Sequence, residues 1–234
     1  MKKTIVTIAC LAFYLNNFAQ ENIVKVGLFG LVTKNLNLKY ERVLNKKNSV
    51  NLNLQFKIPG GLPFGFTLND IADGSISTTD ELKIKGFSIS PEYRIYTKEN
   101  APRGFYLAPY IQLKNYTAQF SGEVDGYYGD IKASYGNIGT GVQMGAQWLI
   151  KDRVSIDWYF FGLGINRNTV KLRLTSDDPN IDFEEYERDA EESLSDVPFL
   201  ENRIEPSSGN NYGEIKANLI FPATRAGLSI GVAF

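Results

Sequence analysis

Nine ionisable residues recur on the polar side of alternating segments: Lys25, Lys39, Glu41, Lys57, Glu92, Arg94, Lys114, Asp157 and Arg225. Brought together, such groups can pair as ions, hold a charged ligand, or supply an acid and a base to a reaction. The chain has no histidine in its 234 residues. This rules out a Ser-His-Asp triad, a His-ligated zinc and an imidazole base. The single cysteine, Cys10, sits in an apolar stretch near the N-terminus that reads as a removable leader. A mature chain without it has no thiol for a disulfide, a metal or a nucleophile, so no cofactor and no metal site is expected. Base chemistry would fall to Asp157, Tyr159 or Lys114.

A second concentration of charge lies between Asp177 and Glu205, with twelve acidic residues against Arg188 and Arg203, a net charge of −10. Its Asp177-Asp-Pro-Asn-Ile-Asp182 stretch has oxygen ligands but neither the spacing nor the turn glycine of an EF-hand loop. Phe183, Tyr186, Ala190 and Leu194 recur at steps of three and four, which predicts a short amphipathic helix over about 182–195. The segment reads as a solvated loop, with a divalent-cation site, a docking element or a plug over the mouth of the fold as its functional alternatives.

The elements that carry these charges are strands. In Ala223–Phe234, Leu228, Ile230, Val232 and Phe234 fall on one face, and Arg225, Gly227, Ser229 and Gly231 on the other. A period of two, apolar outside and small or polar inside, suits a strand with lipid on one face and a polar barrel interior on the other. Seven further segments repeat it. Val24–Phe29, Leu36–Leu44 and Val50–Ile58 come first, then Phe87–Tyr96 and Phe105–Lys114, then Ile138–Trp148 and Val154–Phe160. Pro91 and Pro109 predict bulges or bends, because proline removes a ladder donor.

Met1-Lys-Lys, the apolar Thr4–Leu15 and Phe18-Ala19 have the three parts of a secretory signal peptide, so residues 1–19 are expected to leave a mature domain of 20–234. Polar turns at 45–48, 97–103 and 151–153 alternate with long connections at about 59–82, 121–136 and 174–213. Short turns on one side and long loops on the other mark the periplasmic and extracellular sides of an outer-membrane barrel. The 121–136 loop reads as a hairpin that prolongs its two strands.

Several motifs carry a family resemblance: Tyr40-Glu-Arg-Val-Leu44, Phe105-Tyr-Leu-Ala-Pro-Tyr110, Gly141-Val-Gln-Met-Gly-Ala-Gln-Trp148, Ser155-Ile-Asp-Trp158, Asp196-Val-Pro198 and Arg225-Ala-Gly-Leu-Ser-Ile-Gly231. Through them the chain resembles the Gram-negative outer-membrane β-barrels grouped as domain of unknown function 3575. The resemblance implies an eight-stranded barrel and no assigned activity.

The expectation is an all-β, eight-stranded antiparallel up-and-down transmembrane barrel in the cell outer membrane. An interior of that size is just filled by side chains. Lys39, Glu41, Glu92, Arg94, Asp157 and Arg225 are therefore expected to form a paired charge network in the lumen. The terminal aromatic, Phe234, resembles a barrel-assembly signal. Expected partners are outer-membrane lipids, the barrel-assembly machinery and an extracellular partner for the acidic loop 177–205. The net charge of −1 gives no reason to expect nucleic acid. The role read from this is structural or surface interaction without catalysis. The alternative is a lipid-modifying enzyme or a small-molecule carrier or pore.

Overall fold

The computed structural model describes residues 21–32, 34–58, 76–78, 83–124, 127–178, 181–185, 187, 188, 192 and 203–234. The expected leader and Cys10 lie outside the described residues. In chain order the elements are β1 (Asn22–Gly27), a helical turn α1 (Leu28–Val32), β2 (Asn35–Val43), β3 (Asn48–Lys57), β4 (Ile76–Thr78) and β5 (Lys83–Tyr96). They continue with β6 (Gly104–Val124), β7 (Tyr127–Ile150), β8 (Val154–Thr175), β9 (Ile204–Gly209) and β10 (Tyr212–Ala233). No helix of the described residues is long and apolar enough to cross a membrane.

Strands β1, β2, β3, β5, β6, β7, β8 and β10 pair antiparallel in that order, and β1 pairs with β10 to close an up-and-down ring. Closure satisfies backbone groups that an open sheet would leave at its edges. The short strands β4 and β9 pair with the far ends of β6 and β10.

One end of the ring is tightly turned. Asn45 Oδ1 accepts from the Lys47 and Asn48 backbone N–H groups, both at 2.9 Å. Lys151 and Asp152 take φ of 49° and 60°, and the Arg153 N–H donates to Ile150 O at 3.1 Å. Positive φ at both central residues makes the mirror-image turn whose twist matches a hairpin. Asn22 and Phe234 exchange backbone hydrogen bonds of 3.1 and 2.9 Å at the same end.

Three details depart from the sequence reading. The first strand was expected to run through Phe29, but it stops at Gly27, and Leu28–Val32 coil into α1 against β2 and β10. Gly27 lies against Asn37, where a Cβ would sit 2.8 Å from Asn37 Cγ. At Pro91 and Pro109 the β5–β6 register does not shift, so the expected bulges are absent. Instead the ladder is interrupted at 90–91 and 93–94. Hydroxyls compensate, with Ser90 Oγ donating to Ile111 O at 2.9 Å and Thr140 Oγ1 to Tyr110 O at 3.0 Å. Bulges occur elsewhere, opposite Met144/Gly145 and between Arg225 and Gly227.

The 121–136 hairpin is formed as expected, with β6 and β7 paired up to Val124 and Tyr127. Within the 182–195 segment the described residues 183–185, 187, 188 and 192 are helical. Asp182 Oδ1 accepts from the Glu184 and Glu185 N–H groups at 3.0 and 3.2 Å, an N-cap.

Strand lengths divide the ring into a low wall of β1–β3, 6 to 10 residues long, and a high wall of β6, β7, β8 and β10, 21 to 24 residues long. Cross-strand rows along the high wall show how its chemistry changes with height. Outward rows near the turns are mainly apolar: Leu107–Met144–Phe161, Pro109–Val142–Leu163–Thr224 and Ile111–Thr140–Ile165–Pro222. Higher up, the outward rows become Asn115–Gly136–Thr169–Asn218 and Thr117–Ser134–Lys171–Lys216. The inward face changes in the opposite sense. Lys114–Asn137–Asn168–Leu219 is followed by Tyr116–Tyr135–Val170–Ala217 and then Ala118–Ala133–Leu172–Ile215. On β6 and β7 both faces therefore exchange polarity at one level, between residues 113 and 116 of β6; one row lower Arg167 of β8 already faces outward, and Leu219 and Phe221 of β10 already face inward below it.

Candidate functional site

The alternation that places apolar residues outside the lower ring forces its charges inside, where Lys25, Lys39, Glu41, Glu92, Arg94 and Asp157 are buried. An ion so placed is tolerated only when its partners replace water. Asp157 meets this condition with three donors: Oδ2 lies 2.8 Å from Lys25 Nζ and 2.9 Å from Arg94 Nη1, and Oδ1 accepts from Tyr106 OH at 2.7 Å. Glu41 is enclosed in the same way. Its Oε2 is 2.5 Å from Lys25 Nζ and 3.3 Å from Arg94 Nη1, while Oε1 accepts from Ser49 Oγ at 2.5 Å and Tyr96 OH at 2.7 Å. Gln147 Oε1 lies between the two cations, 2.6 Å from Lys25 Nζ and 3.0 Å from Arg94 Nη1.

Glu92 joins this centre to Arg225. Its Oε2 accepts from Arg94 Nη2 and from Asn51 Nδ2, each at 3.0 Å, and its Oε1 lies 3.0 Å from Arg225 Nη2. The Arg225 guanidinium also stands 4.3 Å from the Tyr110 ring centroid, and Arg94 stands 4.4 Å from that of Tyr106. Such cation–π contacts give the guanidinium planes a partner that hydrogen bonds do not supply. Lys39 is buried, and among the described residues no carboxylate lies in ion-pair range of it; it donates to Ser229 Oγ at 3.2 Å and lies 4.4 Å from the Tyr159 ring centroid.

All six residues of the expected network are therefore inside the ring. Five of them, with Lys25, form one connected set of ion pairs, and Lys39 stands beside it. Gln147, Ser49, Asn51, Tyr96 and Tyr106 complete the set. Each lies at an inward position of its strand, so strand parity was the signal for them, although charge alone pointed elsewhere. The two tyrosine rings meet at a tilt of 57° with centroids 5.6 Å apart.

The charges are enclosed by donors of the chain itself, an arrangement that holds charge in place. Closer to the level of polarity exchange lie amides with spare capacity. Gln143 is fully buried, and among the described residues neither of its amide atoms has a hydrogen-bond partner; Asn137 and Asn166 each have an unpartnered Oδ1. No group of acidic, histidine or cysteine residues among the described residues could hold a metal ion. The Phe234 backbone helps to close the ring by its exchange with Asn22.

The family model described as "Protein of unknown function (DUF3575)" matches residues 4–171. The chain belongs to this family. The match takes in every strand of the low wall and most of the high wall, and with them five of the six network residues; Arg225 lies beyond it. No curated protein matches. Among solved structures, the chain is similar to a major outer membrane protein from Thermus thermophilus. The two are 13% identical with a TM-score of 0.44, over 91% of this chain and 98% of that one.

Proposed function

We propose that this DUF3575 member is a membrane-spanning β-barrel of the outer membrane whose role is structural or surface interaction, without catalysis. The observation that carries the reading is the exchange of polarity on both faces of β6 and β7 at one level. Below it, large apolar side chains point away from the ring and are exposed, Ile138 by 62% and Phe105 by 61%, while charges fill the centre. In water that arrangement would be inside out; in a bilayer it is the favourable one. The outward apolar run on β6, from Phe105 to Leu113, is 9 residues, and a tilted strand needs about 9–11 to cross the hydrocarbon.

In this reading the tight turns and both chain ends lie in the periplasm, and the high wall rises from the outer leaflet. The acidic segment 177–205 serves as a docking element for an extracellular partner. Phe234 serves as the signal read by the assembly machinery. The enclosed carboxylates support a non-catalytic role, because every oxygen of Asp157 and Glu41 already accepts from the chain.

A closed barrel should resist SDS until boiled, since closure pairs backbone groups between strands all round the ring. Unchanged migration on heating, with recovery in the soluble periplasmic fraction, refutes the reading. Replacing about 178–201 by a short Gly-Ser bridge should leave heat-modifiable protein, abolish partner or cell binding and leave membrane lipids unaltered. A lipid species that appears or disappears with substitutions at Asp157, Tyr159 or Lys114 would instead favour the enzyme.

A further inference from the structure

Above the polarity exchange, the concave inner face of the high wall is apolar over three rows. Val170 and Leu172 remain 39% and 47% exposed there, although both point inward. The outer face at the same height carries Lys132, Lys171, Arg173 and Lys216. A wall standing in water would ordinarily show polar residues on both sides, so apolar surface on its hollow side calls for an occupant. Phe183 shows that the face accepts one, since it is 4% exposed and a Cβ on Gly213 would lie 3.3 Å from its ring.

The floor below this face selects the occupant's charge. Lys114 lies one inward position beneath Tyr116, and the charged group that bears on it is another cation, Arg225. Arg225 is itself engaged by Glu92, so among the described residues Lys114 has no carboxylate partner. Deeper in, the ring is shut by Arg94, Lys25, Glu41 and Asp157, all fully buried. The high wall therefore presents an apolar inner face above the cation Lys114, with a fully buried charge cluster beneath. From Leu219, in the row of Lys114, to Gly213 the inward run of β10 spans 7 residues, about 20 Å at ~3.3 Å per residue, comparable to an extended long acyl chain.

We infer that this inner face binds a single-chain anionic amphiphile, a long-chain fatty acid, with its carboxylate on Lys114 and its tail along Val170, Leu172 and Ile215. The inference rests on the membrane-barrel reading and adds a ligand to it.

The test is saturable binding of radiolabelled palmitate to the full chain in phosphatidylcholine nanodiscs, measured above protein-free nanodiscs, with hexadecanol as the uncharged control. One palmitate per chain is expected, and each methylene removed from the tail should weaken binding by about fourfold. Lys114→Gln should weaken palmitate at least tenfold, given the strength of a charge-assisted contact, and leave hexadecanol unchanged. Leu172→Glu should weaken both. Heat-modifiable migration of the same preparations scores the membrane reading separately. Shifted migration without saturable palmitate, or with binding indifferent to Lys114→Gln and Leu172→Glu, overturns the fatty-acid site alone. Unshifted migration overturns the barrel reading and the site with it.

Discussion

Arg94 Nη1 lies 2.9 Å from Asp157 Oδ2 inside the ring, and neither side chain has any exposed surface. The two come from β5 and β8, three places apart in the strand order. Their contact therefore braces the interior across the ring rather than along neighbouring strands. Lys25 from β1 and Glu41 from β2 meet the same guanidinium–carboxylate pair, so one charge cluster ties four strands together.

Asp157→Ala removes the acceptor shared by Lys25, Arg94 and Tyr106. Because it leaves two buried cations undercompensated, a loss of about 3–5 kcal/mol is expected, read as a lowered urea midpoint followed by the fluorescence of Trp148 and Trp158. Combining Asp157→Leu with Lys25→Met should recover part of that loss by removing opposite charges together. A double variant as unstable as the sum of its singles would show that the pair is not coupled.

Arg225→Leu should be milder. Glu92 keeps Arg94 and Asn51 as donors when Arg225 is gone, so the expected cost is about 1–3 kcal/mol, that of one charged hydrogen-bond partner. A cost exceeding that of Asp157→Ala in the same urea assay would place the centre of the network at Glu92 instead.

Two glycines on β7 should respond very differently to the same added methyl group. At Gly145 a Cβ would stand 2.5 Å from Tyr106 Cζ, and Tyr106 holds Asp157. At Gly136 the nearest atom would be Thr169 O at 4.0 Å. Gly145→Ala is expected to cost about 1–3 kcal/mol through overpacking, whereas Gly136→Ala should be neutral or slightly stabilising. Equal melting temperatures for the two variants would contradict this account.

Where the outward face is continuously apolar, as in Val50–Ile58 or Ile138–Trp148, alternation showed both the strand and the residues that face inward. The six network residues were legible for that reason. Their neutral partners sat at the same parity but carried no charge to mark them. The upper halves of β6, β7, β8 and β10 were harder to read, because the apolar parity switches there: Leu113 points outward and Tyr116 inward. A pattern whose phase inverts midway resembles the end of a strand and the start of a loop. At the N-terminus the misreading ran the other way. Leu28 continues the parity of Val24 and Val26, and only the close approach of Gly27 to Asn37, a tertiary fact, accompanies the end of the strand there.

On the extension, Glu205 is held below its ordinary pKa of 4.5, chiefly by the hydrogen bond from Lys216. A carboxylate with a depressed value favours the folded form above its unfolded pKa, and that contribution fades as pH falls through the lower, folded value. Pairing of β9 with β10 should accordingly loosen below about pH 4.5, seen as faster amide exchange at Ile204–Gly209. With Glu205→Gln, exchange corrected for its intrinsic pH dependence should no longer change across that window. An unchanged pH response in the variant would assign the effect to another group.

The seam between β1 and β10 is joined by five residue pairs, Ile23–Ala233 to Gly27–Ser229, whereas β7 and β8 share twenty-one. It is also the joint whose partners lie farthest apart along the chain, so its closure demands the largest loss of chain entropy for the fewest bonds. The hairpins of the high wall can zip locally and early, while the circle can be completed only after Ser229 has arrived beside Gly27. Until that moment the molecule is a curled strip with two hydrogen-bonding margins exposed, and α1, set at the seam beside β2 and β10, is among the last parts to find its seat.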